Sequence, residues 1–373
     1  MRIVRLALLF TLLNMIASPL ADAGDWPQIL GPNRDGIAHD EKLADKWPKS
    51  GPRTVWQRPV GDGFSGIAVV ADRAILFHRD SKKEVVECLD AATGQPRWKQ
   101  EFDATYIPSF TRDAGPRAVP LINGEHVFLY GARGDLYCLA MADGTTIWHR
   151  DTYEDFSGKR PVKGEPPEGY FGFGSAPILE GDRLLLNVGG ASNGAGIVAF
   201  NAKTGETIWK ATEERASYSS PVAATIGGRR HVIFAARLNV LSVDPANGRV
   251  LFSFPFGRTG PAVTAANPVV IGDQVFITGS YNFGAILAKL GPTGSMEQWE
   301  SDDILSSQYT TSIQLGKVLF GVHGRQDAGA AELRCVEPST RRVLWKERDF
   351  GYSTLIMADK KLLIMKTDGE LVL

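Results

Sequence analysis

The sequence predicts an all-β protein, a β-propeller of four-stranded blades, on three observations. One pattern recurs in six segments, more loosely at Leu287 to Trp299 and with Arg341 in place of Gly in the last: a small residue, a turn closing on Gly, then an aromatic four positions later, as in Cys88-Leu-Asp-Ala-Ala-Thr-Gly94-Gln-Pro-Arg-Trp98. The closing aromatics Trp98, Trp148, Trp209, Phe252, Trp299 and Trp345 stand 50, 61, 43, 47 and 46 residues apart, the length of one propeller blade. Between the turns lie apolar runs rich in Val and Ile and bounded by Gly, Asp and Asn, which read as strands buried on both faces.

Residues 1–23 read as a cleavable secretory signal. Arg2 and Arg5 precede the apolar run Leu6–Ala17, Ser18-Pro19 breaks it, and Ala21-Asp22-Ala23 has the small-x-small form that signal peptidase cleaves. The run is too short to span a bilayer, which takes about 20 residues. A periplasmic or secreted monomer without a transmembrane segment is expected. Residues 24–55 read as an N-terminal extension and 56–373 as the propeller.

Within each repeat, Pro120, Pro177, Pro221 and Pro268 open a short apolar strand, a Gly or Asp turn follows, and a second apolar strand begins. The Gly of Thr-Gly or Asn-Gly stands where the hairpin between third and fourth strands needs positive φ. Arg341 holds that position in the sixth repeat, which points to a different turn there. The Trp residues are large apolar bodies with one donor, suited to wedging between neighbouring blades.

The Ala-x-Asp-x-x-Thr-Gly-x-x-x-Trp pattern, as at Ala199 to Trp209, resembles the pyrroloquinoline-quinone-like propeller repeat of quinoprotein alcohol dehydrogenases and of the BamB assembly-factor propellers. Asp25-Trp-Pro-Gln-Ile-Leu-Gly-Pro-Asn-Arg-Asp-Gly36, Gly169 to Ser175, Ala216 to Pro221 and His323 to Gln326 are similar to exported propellers of planctomycete-type bacteria. The resemblance implies eight blades, with seven as the alternative. A seventh repeat begins near Tyr352 and the sequence stops at Leu373, so the last blade is expected to be incomplete in this chain. Trp56, 42 residues before Trp98, resembles a lone fourth strand that completes a blade begun at the other terminus.

Composition and motifs narrow the chemistry. Lys+Arg 41 against Asp+Glu 42 gives a net charge of −1, without the basic footprint of a nucleic-acid binder. The six His show no ligand spacing, no Ser lies in a G-x-S-x-G elbow, and Cys88, Cys138 and Cys335 share one small-residue slot with Ala199 and Ser242. No catalytic residue and no metal ligand is assigned. The long insertion Thr152 to Gly169 is charged and Pro-rich, a rim or a solvated excursion.

In a propeller, the loops between blades and those joining second to third strands meet at one mouth of the channel. There the sequence places Arg117, Tyr170, Phe173, Tyr218, Asn267, Tyr309, His323 and Arg325, with Tyr106, Arg112, Phe171, Ser217, Ser219, Tyr281 and Gln308 beside them. Aromatics mixed with Arg and hydroxyls form a binding surface for a protein or glycan. Resemblance to the assembly-factor propellers implies a non-catalytic envelope scaffold without a cofactor. The alternative is an alcohol or polyol dehydrogenase using pyrroloquinoline quinone and calcium. The sequence lacks both the adjacent cysteines and the C-x-x-C-H haem site found among such enzymes.

Overall fold

The fold was analysed in a computed structural model, which describes residues 24–373 apart from 40, 109, 158–168, 261 and 330. The expected signal and most of the long insertion therefore lie outside the described residues.

Six blades are four-stranded meanders in chain order. Blade 1 comprises Ala68–Val70, Arg73–Asp80, Lys83–Asp90 and Pro96–Asp103. Blade 2 comprises Leu121–Asn123, His126–Tyr130, Asp135–Ala140 and Thr146–Asp151, and blade 3 Ile178–Glu180, Arg183–Gly190, Ala195–Asn201 and Thr207–Ala211. Blade 4 runs through Val222–Ile226, Arg229–Ala235, Asn239–Val243 and Val250–Pro255, and blade 5 through Val269–Ile271, Gln274–Thr278, Ala285–Leu290 and Ser295–Ser301. Ile313–Leu315, Val318–His323, Glu332–Glu337 and Arg342–Glu347 form blade 6.

The seventh sheet is built differently, and it corrects the expected blade count. Its order is Ile37–Ala38, Ser353–Ala358, Lys361–Lys366 and Leu371–Val372, with the N-terminal strand parallel to Ser353–Ala358. The structure thus has seven four-stranded sheets rather than eight. The seventh reaches four strands through a two-residue strand from the N-terminal extension, too short to leave a repeat signature. Trp56 is corrected too: no strand forms around it, although its indole seats on blade 1 as expected of a preceding blade.

Packing follows the repeat. The indoles of blades 1, 2, 3 and 5 donate to a turn carbonyl of the next blade: Trp98 to Met141 at 3.0 Å, Trp148 to Ala202 at 3.0 Å, Trp209 to Pro245 at 3.1 Å and Trp299 to Pro338 at 2.8 Å. Trp56 makes the same bond to Ala91 at 2.9 Å. The repeated Gly has a second cause besides its φ of about 70°. A Cβ on Gly144 would lie 2.6 Å from the ring of Trp98, and one on Gly205 2.8 Å from that of Trp148. Arg341 adopts the same left-handed conformation, φ 56°, but the turn before it differs as expected: Pro338–Thr340 form a 3-10 helix and the Arg341 N–H donates to the Pro338 carbonyl three residues back, where each repeated Gly reaches four residues back. The Arg341 guanidinium lies over the Trp299 ring at 5.9 Å.

Six hydrophobic clusters fill the six interfaces from blades 1/2 to 6/7. Among the described residues, blades 7 and 1 share no such cluster. They are joined by residues 25–38, which run through the channel. Trp26 pairs with Val69 of blade 1, the Pro27 carbonyl accepts from Ile122 of blade 2, and Ile37 and Ala38 pair with Met357 and Ala358 of blade 7. Trp345 packs on Phe320 and is 45% exposed.

Candidate functional site

Strand alternation puts the inter-blade connections and the second-to-third-strand loops at one end of the ring. Just inside that end, a relay of side chains links neighbouring blades. The Ala176 N–H donates to Ser220 Oγ at 2.9 Å, the Ser220 N–H to Asn267 Oδ1 at 2.7 Å, and the Asn267 N–H to Thr311 Oγ1 at 2.9 Å. Each residue stands just before the one that opens a first strand, a place where the backbone has no ladder partner and must find another. The Asn267 side chain, expected at a ligand, is buried in this relay.

Two positions further from the strand lies the mouth's inner rim. Phe64, Arg117, Gly174, Tyr218, Ala265 and Tyr309 occupy this slot in blades 1 to 6. Three of the sequence-predicted residues, Arg117, Tyr218 and Tyr309, are therefore structural equivalents. Gly174 leaves room between two of them: a Cβ there would lie 3.1 Å from Tyr218 and 3.3 Å from Arg117.

The predicted residues fall into two groups. Over blades 1 to 4, the Arg117 guanidinium lies 5.6 Å from the centre of the Phe64 ring and 5.7 Å from that of Tyr106. It is held by Asp113 at 3.3 Å and by backbone carbonyls of Asp113 and Gly115. Burial pushes its pKa down. The Tyr218 hydroxyl accepts from the Phe171 N–H at 3.0 Å, and burial holds its phenol protonated, well above the usual range. Tyr170 meets Phe110 edge-on at 4.7 Å. Phe173 lies below, in the core against Tyr130.

Over blades 5 to 7, Arg325 stacks on Tyr281 at 4.2 Å and pairs with Asp327 at 2.6 Å. Tyr281 accepts from Gln308 at 2.8 Å, and the Tyr309 N–H donates to the Tyr352 hydroxyl at 2.8 Å. His323 ends the second strand of blade 6, where Nδ1 accepts from the Ser306 N–H at 3.1 Å and burial lowers its pKa. This imidazole supports a loop.

Sequence reasoning missed the most exposed part of the mouth. Phe64, Ile107 and Phe110 are 69%, 85% and 57% exposed, and Phe110 packs against Tyr170 and Phe171. The signal was available: three large apolar residues in loops rich in Gly, Pro, Ser, Ala and Asp. Glu84 was also missed. Its buried carboxylate accepts from the Ala132 N–H at 2.9 Å, tying blade 1 to a mouth loop of blade 2, and burial pushes its pKa up to about 7.

Seven sheets around a channel and an aromatic, arginine-bearing mouth define a repeat β-propeller protein. A family model described as outer membrane protein assembly factor BamB matches residues 48–157 and 112–347. The chain belongs to that family. Among solved structures, BamB from Moraxella catarrhalis is similar at TM-score 0.57 and 18% identity, covering 83% of this chain and 82% of that one. A europium-containing methanol dehydrogenase is similar at TM-score 0.56 and 13% identity, covering 92% and 89%. At these identities the likeness is one of fold. The quinohemoprotein alcohol dehydrogenase of Comamonas testosteroni is 27% identical over 158 residues, which span 40% of this chain and 20% of that enzyme. Among the described residues, no helix is long and apolar enough to cross a membrane.

Proposed function

We propose that the chain is a non-catalytic envelope scaffold, resembling BamB in role, that holds a protein partner through its mouth loops. The observation that carries this reading is the exposure of Phe64, which meets Arg117, and of Ile107 and Phe110 in the loop that carries Arg117, although each is large and apolar. Monomeric surfaces seldom gather such side chains without a partner, and aromatic residues with Arg dominate the energetics of protein interfaces. An envelope location accords with the BamB family. A glycan is the other occupant that stacked aromatics suit.

The dehydrogenase alternative needs a quinone and a cation held by oxygen ligands. Among the described residues no three His, Cys, Asp or Glu gather into a metal-binding group, and the three cysteines are buried in blades 1, 2 and 6. Reconstitution with pyrroloquinoline quinone and Ca²⁺ tests this directly: saturable binding with dye reduction by alcohols overturns the scaffold reading.

The partner is tested by capture from envelope extract with wild type, with Phe64→Ser/Ile107→Ser/Phe110→Ser, and with Tyr218→Ala/Tyr309→Ala/Arg325→Ala. Loss of the same identified protein from a mutant that keeps its melting temperature supports the mouth as the site. An unchanged set of captured proteins removes it.

A further inference from the structure

The segment 25–38 enters the channel from the end opposite the mouth. The Asp25 carboxylate there accepts from the Ala71 N–H at 2.8 Å, beside the first turn of blade 1. It climbs to the mouth end, where Arg34 meets the residues that open the first strands of blades 3 and 4. It returns beside blade 7, where Lys42 meets Asp359 at 3.1 Å. Six of the seven blades touch it, the Gly36–Ile313 contact adding blade 6.

Arg34 is the centre of this hairpin. Its side chain is 5% exposed, and it donates to neutral acceptors, Gln28 Oε1 at 2.8 Å, the Pro221 carbonyl at 2.8 Å and the Pro177 carbonyl, with the Glu180 carboxylate the opposing charge near it. A buried guanidinium that hydrogen-bonds no carboxylate is costly in desolvation. It persists because its planar fork satisfies carbonyls that face the axis and belong to no strand ladder. Two further fits are steric: a Cβ on Gly31 would lie 2.7 Å from the Trp26 ring and one on Gly36 2.2 Å from Ile313.

We infer that the channel is a peptide-binding site, which the chain fills with its own residues 25–38, and that this intramolecular ligand clasps blade 7 to blade 1. The ligand it selects is a turn-rich segment, with positive φ at Leu30, Gly31, Arg34 and Gly36, that has Trp-Pro at its start and an Arg seven residues after the Pro. With the axis taken, outside ligands are confined to the mouth loops.

The test uses the full mature chain. A protease site introduced in the largely exposed, strand-free stretch 46–52 is cut after folding. The clasp predicts that the released N-terminal fragment stays bound through size-exclusion chromatography. It also predicts that a labelled synthetic peptide of residues 24–40 exchanges into the nicked protein at least tenfold more tightly than the same peptide with Arg34→Ala. Release of the fragment from a propeller that keeps its circular dichroism and melting temperature overturns the inference. Equal binding of the two peptides overturns the role of Arg34.

Discussion

Cys138 and Trp148 face each other across the third and fourth strands of blade 2, and one extra residue, Ile147, bulges out of the fourth strand just before the Trp. The same register recurs at Cys88/Trp98, Ala199/Trp209, Ser242/Phe252, Leu287/Trp299 and Cys335/Trp345. A bulge at a fixed place increases local twist and re-aims the next side chain. Here it turns the ring toward the following blade. The cysteines are therefore packing residues chosen for the space opposite an aromatic.

Burial pushes the Cys138 thiol up to about 12, so at pH 8 it holds its proton and is poorly reactive. A disulfide-exchange reagent is expected to leave Cys138 unmodified in the folded chain and to label it once urea unfolds the protein. Cys138→Ala is expected to cost under about 1.5 kcal/mol, whereas Cys138→Phe overpacks the site and costs about 3 kcal/mol. Rapid labelling of the native chain at this residue contradicts the packing role.

Gly205→Ala puts a side chain at φ 72° and pushes on the Trp148 indole. A loss of about 2 kcal/mol or more is expected in urea denaturation. Arg341→Gly relieves a left-handed non-glycine residue while removing the stack on Trp299, and is expected to fall within about 1 kcal/mol of wild type. Equal costs at the two positions refute the account of the turn.

Asn267→Leu is expected to cost about 1–3 kcal/mol, because the buried Ser220 N–H loses its acceptor. Partner capture by the mouth should survive at a temperature where the variant is folded. Capture lost without loss of stability would instead place Asn267 at the ligand.

Glu84 gives a pH dependence whose sign is fixed by the direction of its shift. Its pKa is raised from 4.5 to about 7 by burial, the bond from Ala132 opposing, with Asp135, Arg79 and Arg117 as the nearby charges. The folded chain thus keeps a proton that the unfolded chain has released, so this group's contribution falls as pH rises from about 4.5 to about 7 and is level above. Glu84→Gln is expected to flatten that decline and to raise the urea midpoint at pH 8. A variant with the wild-type pH slope excludes Glu84 as its source.

Much of this architecture is legible from spacing alone. The Gly-to-aromatic interval is local turn chemistry followed by a wedge, so it repeats wherever a blade repeats, and counting it yields six blades and the hairpin positions. The inner rim is partly legible too, since Arg117, Tyr218 and Tyr309 stand at one distance from the start of their first strands. Their division into two groups and the burial of Phe173 and Asn267 depend on which neighbouring blade meets each loop.

The sequence by itself determined the propeller, its four-stranded unit and the Gly and Trp that seal one unit to the next, because these arise between residues close in the chain or related by the repeat. Tertiary structure alone decided the seventh sheet, the course of residues 25–38 and the surroundings of Arg34. Those contacts join positions separated by 143, 187 and more than 300 residues, and their partners are backbone groups, which every residue carries and no sequence pattern marks.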